Sequence, residues 1–526
     1  MSIPEDTPTP EPEAPKRSRL GLKIALGAGA VVLVAAGGAS AYAWQQLSGG
    51  GTQPQDVLPA SVTAFVRVDA DPSASQKIAL LRLIQKFPDV ADEIGIKDAD
   101  QDVKKLLLDD LVPECDLDYK DDIEPWLGDR VGVALDDDAS PLFAIQVEDE
   151  KAAAAALPDI ASCLELPDAG VVFSKGYAVL ALDTKSAEAA VAEAKKNPLT
   201  DDKTFRADLD ELGNQGLASA WVDFNGLAQL APAFFGGAPS PISAPVGQHT
   251  DVASASIASL VGETPPLGVG GSVAVTLRAG SSHLEVVTIS RSDEDLLKRP
   301  NAEFDRFAAD DLLVGSYSGG RVDVRTTWQS IIGEAAAGGY DIESELAAIE
   351  DETGLRLPDD LETLLGENVS LVVGPGEFGR GVTTDFADPT DLEAGLVMRS
   401  NTADATDLAR RLADLASQHL GLYLTVVETD DGAVLATSDS IAEDLANGSE
   451  GKGKRFDEVM PGLDKAFGGI VLNVDRVLDQ IEGAEPSEEI QSVVDGFRPL
   501  SAIGFSVAHT GDRATRTTMR IEFNGS

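Results

Sequence analysis

The chain offers few side chains of the kind that usually carry chemistry. It has four histidines, His249, His283, His419 and His509, and two cysteines, Cys115 and Cys163. A zinc-dependent hydrolase needs two histidines one helical turn apart, as in HExxH, and none of the four has such a neighbour. A nucleophile elbow needs Ser at the centre of GxSxG, yet the nearest run, Gly315-Ser316-Tyr317-Ser318-Gly319, puts Tyr there. No Walker-type phosphate loop occurs. A formal GxGxxG, from Gly374 to Gly379, follows the apolar run VSLVV. A pyrophosphate site would need a helix to begin there, and the continuation GRGVTTDFADPTD is loop-like and acidic. The run is therefore read as a Gly-rich loop between two strands. Asp98, Asp100 and Asp102 open like a calcium loop, but Val103 stands where that loop needs Gly and Asp109 where it needs Glu. An Asp-capped helix, DVKKLLLDDL, accounts for them better. Asp136-Asp137-Asp138 reads as a solvated hairpin turn. Carboxylates are so abundant that spacing singles out no catalytic pair. The expectation is a non-enzyme with no catalytic residue, no cofactor and no metal.

Charge narrows the partners. Lys and Arg number 41 against 89 Asp and Glu, a formal net charge of −48. Residues 1–23 balance, and residues 24–55 carry no charged side chain, so the whole deficit lies beyond residue 55. Such a field repels phosphate backbones, which excludes nucleic acid as the expected partner. It attracts cations and basic partners, although acidity of this kind also serves solubility alone. Hydrophobic residues at 43% predict a folded chain with a sizeable core. With aromatics at only 5%, Ala, Val, Leu and Ile must fill that core.

The N-terminal region suggests an anchor. Residues 1–23 form a Pro- and Glu-rich tail, read as disordered and cytoplasmic. Residues 24–44, from Ile24 to Trp44, form an uncharged, mainly apolar run, long enough as a helix to span roughly 30 Å of bilayer. Lys16, Arg17, Arg19 and Lys23 precede the run and predict that the N-terminus stays inside. Residues 45–55 read as a flexible tether. The expected localisation is the cell membrane, single-pass, with the C-terminal region extracytoplasmic. Gly27, Gly29, Gly37 and Gly38 would permit a dimer through this helix. Ala39-Ser40-Ala41 also fits a signal-peptidase site, with cleavage after Ala41 as the other reading. Outside the membrane, an even cysteine count predicts one disulfide, Cys115–Cys163. Closing that loop would stabilise the fold by roughly 3–4 kcal/mol.

Self-similarity organises the remainder. IEPWLGDRVGVAL near Trp126 matches LETLLGENVSLVV near Leu365. VVFSKGYAVLALDTKSAEAAVAEA matches TVVETDDGAVLATSDSIAEDLA, each read as a hairpin followed by a Ser-capped helix. Each half opens on a strand and closes on a two-stranded unit. Blocks recurring in the same order predict two tandem α+β lobes, 56–292 and 303–526, with an exposed loop at about 236–266. Period-two alternation predicts mainly antiparallel sheets with one face covered by helices. A cleft between the lobes would be the natural ligand location.

The stretch GGGTQPQDVLPASVTAFVRVDADPSASQKIALLRLIQKFP, the run LDYKDDIEPWLGDRVGVAL and the basic-flanked apolar segment before them resemble one family. It is the actinobacterial membrane proteins grouped as domain of unknown function 3352. The resemblance implies the anchored topology and supplies no catalytic residue. The leading expectation is a non-enzymatic extracytoplasmic module that binds an envelope partner, whether protein, lipid or glycan. The alternatives are a carrier of a lipid or other apolar ligand between the two lobes, and a hydrolase using carboxylates.

Overall fold

Short apolar runs separated by turn residues become strands here, and runs behind Asp, Asn or Ser caps become helices. The computed structural model describes residues 51–69, 74–87, 104, 115, 117–164, 166–213, 215–226, 270–304, 307–308, 311–321, 324, 327–329, 332–333, 342–376, 393–448, 456, 459–484 and 486–525. Before residue 300 the elements are β1 (Ala64–Asp69), α1 (Ala74–Ile84), β2 (Leu127–Leu135), β3 (Pro141–Val147), α2 (Glu150–Cys163), β4 (Gly170–Ser174), β5 (Tyr177–Ala181), α3 (Thr184–Ala194), α4 (Lys203–Leu212), β6 (Ala218–Asp223), β7 (Gly271–Ala279) and β8 (His283–Ser292). After it come β9 (Leu313–Ser318), α5 (Ile342–Thr353), α6 (Asp359–Leu365), β10 (Asn368–Val373), β11 (Ala394–Arg399), α7 (Thr402–Leu420), β12 (Thr425–Thr429), β13 (Gly432–Ala436), α8 (Asp439–Asn447), β14 (Gly468–Leu472), α9 (Val474–Gly483), α10 (Glu488–Phe497), β15 (Leu500–His509) and β16 (Ala514–Phe523).

The helix starts follow capping chemistry. Asp149 accepts from the N–H groups of Lys151 and Ala152 at α2, and Asn401 does the same for Ala403 and Asp404 at α7. Ser438 caps α8, as its sequence suggests, whereas α3 is capped by Asp183 rather than by a serine. The β4–β5 hairpin turns at Lys175 and Gly176, both at positive φ, the conformation a two-residue loop demands.

Among the described residues sixteen strands join one antiparallel sheet, ordered β12-β13-β11-β10-β9-β14-β15-β16-β8-β7-β6-β1-β2-β3-β5-β4. The order is palindromic. Counting outward from the central β16–β8 pair, each of β9–β16 has its counterpart in β1–β8. The central pair is antiparallel, with Val287 opposite Thr518. Successive residues of a strand feed opposite faces. Tyr177, Val179 and Ala181 enter a core with Phe65, Phe205 and Trp221, while Ala178 joins Leu157 and Trp126 on the other side. Past the seam, Val434 and Ala436 pack with Phe456 and Met460, and Ala433 and Leu435 with Leu408 of α7.

Three expectations from the sequence are corrected. The class is α+β and antiparallel, but the two lobes do not carry separate sheets: β8 and β16 zip the regions before and after residue 300 into one. Nor is only one face covered. β5 (YAVLA) and β13 (GAVLA) are apolar at every position because helices lie on both sides, and such strands lose the alternation that marks a half-exposed sheet. Finally, among the described residues no helix is long and apolar enough to cross a membrane. The longest, α7, carries Asp404, Asp407, Arg410, Arg411 and Asp414, and charges of that number are too costly in hydrocarbon. The fold is thus described without a transmembrane helix, and the single-pass, cell-membrane assignment built on it is withdrawn. Its supporting residues, Ile24 to Trp44 with Lys16, Arg17, Arg19 and Lys23, lie outside the described residues, as do most of the tether, the loop at 236–266, the Asp98–Asp102 run and His249.

Candidate functional site

A polar cavity of about 650 Å³ opens where β6 and β8 end and β7 begins, beside the start of α4. Its geometry begins with a polar residue inside an apolar helical stripe. On α4, Phe205, Asp208 and Leu212 fall on one buried face. Asp208 is 0% exposed. A carboxylate so placed must be fully hydrogen-bonded, and three donors converge on it. Arg291 Nε of β8 donates to Oδ1 at 2.7 Å. Trp221 Nε1 of β6 and Ser272 Oγ of β7 donate to Oδ2 at 3.0 and 2.5 Å. Arg291 is held a second time by Glu211 at 2.7 Å. Burial works against its charge, yet Asp208 and Glu211 keep the guanidinium above its ordinary range. The cavity floor of Trp221, Ser272 and Arg291 is thereby fixed in position.

The charged side chains of the walls are mainly acidic. Asp202, the N-cap of α4, accepts from Phe205 N at 2.8 Å. Asp223, the last residue of β6, accepts from Asn225 N at 2.9 Å, and Asn225 Nδ2 donates to Asp293 at 2.9 Å. Asp137 joins from the β2–β3 turn, where neighbouring Asp136 accepts from the N–H groups of Asp138 and Ser140. Arg513 arrives from the turn before β16, with its Nε 2.7 Å from Asp295. Gly271 lines the mouth at φ +137°, and a Cβ there would stand 2.0 Å from the Arg291 carbonyl. Apart from Arg513, all the lining residues precede residue 300, so the cavity is not the inter-lobe cleft expected from the sequence.

Burial pushes the Asp223 carboxyl up, with Asp202 and Asp293 adding to the effect and the backbone N–H groups of Asn225 and Gly226 opposing it. A carboxyl raised in the folded state favours the protonated form there. Its charge therefore opposes folding above that raised value, and the penalty disappears as the pH falls through it. Asp223→Asn, which keeps the acceptor oxygen, should raise the thermal midpoint at pH 7 by a gain below about 1 kcal/mol. The gain should shrink toward pH 4. A variant that melts lower at pH 7, or gains equally at both pH values, would contradict this.

The other residues singled out by sequence fall elsewhere. Cys115 and Cys163 form the disulfide, with Cα atoms 5.5 Å apart. His283 lies on β8 at the seam, 3.1 Å from the fully buried Glu285. His419 closes α7, and His509 packs on Phe467. Gly374 and Gly376 follow β10 in a loop facing Glu393, and no helix begins within residues 374–376. Among the described residues no group of three or more His, Cys, Asp or Glu converges to hold a metal ion. Sequence reasoning missed Asp208, Arg291 and Asp223. Asp208 did leave a signal, since it interrupts the apolar spacing of Phe205 and Leu212.

No family model matches the chain, and no curated protein matches it. One solved structure, described as crystal form I of TP0453, aligns over 47% of this chain and 82% of that chain. The identity is 9% and the TM-score 0.22, which carries no argument about fold or function.

Proposed function

We propose that this protein is a non-enzymatic binding module that takes a small polar ligand bearing a cationic group into the cavity beside α4. One observation carries the reading. Both arginines of the cavity are committed to carboxylates, Arg291 to Asp208 and Glu211 and Arg513 to Asp295, while Asp137, Asp202, Asp223 and Asp293 line the same space. A preformed concave site with an excess of carboxylates selects for an ammonium or amine. The test is thermal-shift titration of the full chain with putrescine, lysine and glucosamine against uncharged analogues. The amines should raise the midpoint, and Asp293→Asn should remove most of the effect. If no amine does better than its neutral analogue, or if the shift survives Asp293→Asn, the reading fails.

A second reading, a carrier of an apolar ligand, is favoured by a row of residues in direct register across the whole sheet. From one edge to the other it runs Val426, Leu435, Leu396, Leu371, Gly315, Ile470, Phe505, Met519, Val286, Leu277, Ala218, Val68, Val131, Ile145, Ala178 and Phe173, without one polar side chain. Helices α7 and α2 cover its ends, yet Leu371, Ile470 and Val68 are 42, 38 and 38% exposed. Lipid recovered with the purified chain by mass spectrometry, and lost on Ile470→Asp, would move the assignment here.

A further inference from the structure

We propose that β12 is a docking edge that accepts an extended basic peptide as a seventeenth strand. β12 stands at one end of the sheet order, with β13 as its only strand neighbour among the described residues. An end strand presents one row of backbone N–H and C=O groups, a template for another chain unless it is shortened, bulged, blocked by Pro or covered. β12 is neither bulged nor blocked by Pro, and the one charge it carries, Glu428, guards it only against acidic chains. Its five residues pair with β13 without a register shift, and none is Pro. Helix α7 packs on one face through Leu408 and Leu412, against Val426, and α8 on the other through Ile441, near Val427. Among the described residues, these helices cover the faces, and β13 is the only strand paired with this end of the sheet.

Two further features distinguish this edge. Leu420, the last residue of α7, and Tyr423, two residues before β12, are 66 and 76% exposed, the most exposed large hydrophobic side chains among the described residues. They sit at the entrance to the strand, where an added chain would lay its first apolar side chain. The surroundings are acidic. Glu428 on the strand, Asp430 in the following turn and Asp439, Glu443 and Asp444 on α8 are all exposed. Charge complementarity therefore selects a peptide that alternates apolar residues with Lys or Arg. It also disfavours a second copy of a chain whose net charge is −48. Main-chain hydrogen bonds would supply affinity and the alternate side chains specificity.

The probe is a short acetylated peptide of alternating Lys and Val, added to the full chain. Amide exchange at residues 425–429 should slow by about tenfold or more at saturation. The same peptide N-methylated at alternate residues keeps its charge but loses the bonding edge, and it should give no protection. Tyr423→Ala, a change at an exposed side chain confirmed folded by circular dichroism, should weaken binding about fivefold, or ~1 kcal/mol. Equal protection by the N-methylated peptide, or binding with no protection at 425–429, overturns the proposal. So does protection that appears without peptide as protein concentration rises, which would assign the edge to a second copy.

Discussion

Asp208→Ala should destabilise the fold by about 3–5 kcal/mol, the range for breaking a buried ion pair from one side. The carboxylate is fully buried and receives Arg291 Nε, Trp221 Nε1 and Ser272 Oγ. Removing it leaves a buried indole N–H and a buried hydroxyl without their acceptor beneath the cavity, and both groups cost more unpaired than they gain paired. Arg291 retains Glu211, so part of its charge stays compensated. Asp208→Asn keeps the shape and one acceptor oxygen and should cost less than Asp208→Ala. Urea unfolding followed by Trp fluorescence provides the measurement, because Trp221 reports directly on the cluster. The double variant Asp208→Ala with Arg291→Met should be less unstable than the two single costs summed, since the charges compensate each other. A loss below about 1 kcal/mol for Asp208→Ala would show that the network is dispensable and that the cavity floor is not fixed by it. Because that floor is also part of the proposed ligand site, amine binding should weaken in Asp208→Asn even where the variant remains folded.

The features legible in the sequence are those that depend on local chemistry. Hairpin turns such as Lys175-Gly176, the capping Ser438 and the cysteine pair follow from residue type and spacing, and each stands where local rules put it. Long-range pairing is a different matter. Nothing in HLEVVTISRS or ATRTTMRIEF specifies that these strands pair with each other, because any two twisted, β-branched strands offer the same backbone groups. The seam Val287–Thr518 is a tertiary choice that turned two expected sheets into one. The cavity was equally hidden. Asp208, Trp221, Ser272 and Arg291 are far apart in sequence, and only the side-by-side arrangement of β6, β7, β8 and α4 brings them together. In a chain with 89 acidic residues, a functional carboxylate is marked by its burial, which a single sequence does not show.

Replacing Cys115 and Cys163 together by Ser should cost about 3–4 kcal/mol, the loop-closure value for a separation of 48 residues. The bond fastens the end of α2 to the segment before β2, where Tyr119, Ile123 and Trp126 pack with Leu157. The other arm of the palindrome does the same job without cysteine. Arg411 of α7 reaches the helix before β10 and grips both oxygens of Asp360, at 2.5 and 2.6 Å, while also donating to the Gly354 carbonyl at 2.8 Å. Burial alone would raise the Asp360 carboxyl, but the hydrogen bonds from Arg411 and from Arg356 N prevail and hold it below its ordinary range. The two fasteners therefore respond to different conditions. A depressed carboxyl stabilises the fold above its unfolded value and loses that contribution as the pH falls below it, so the α6–α7 clasp should loosen under acid below about pH 4. The disulfide does not titrate in that window and should yield only to reductant. Amide exchange can separate the two. At neutral pH, reductant should speed exchange in α2 and residues 119–123 and leave α6 and α7 unchanged. At pH 3 without reductant, after correction for intrinsic rates, α6 and the facing part of α7 should open first. If reductant leaves both the melting temperature and the exchange of α2 unchanged, the bond contributes nothing that the Trp126–Leu157 packing does not already supply.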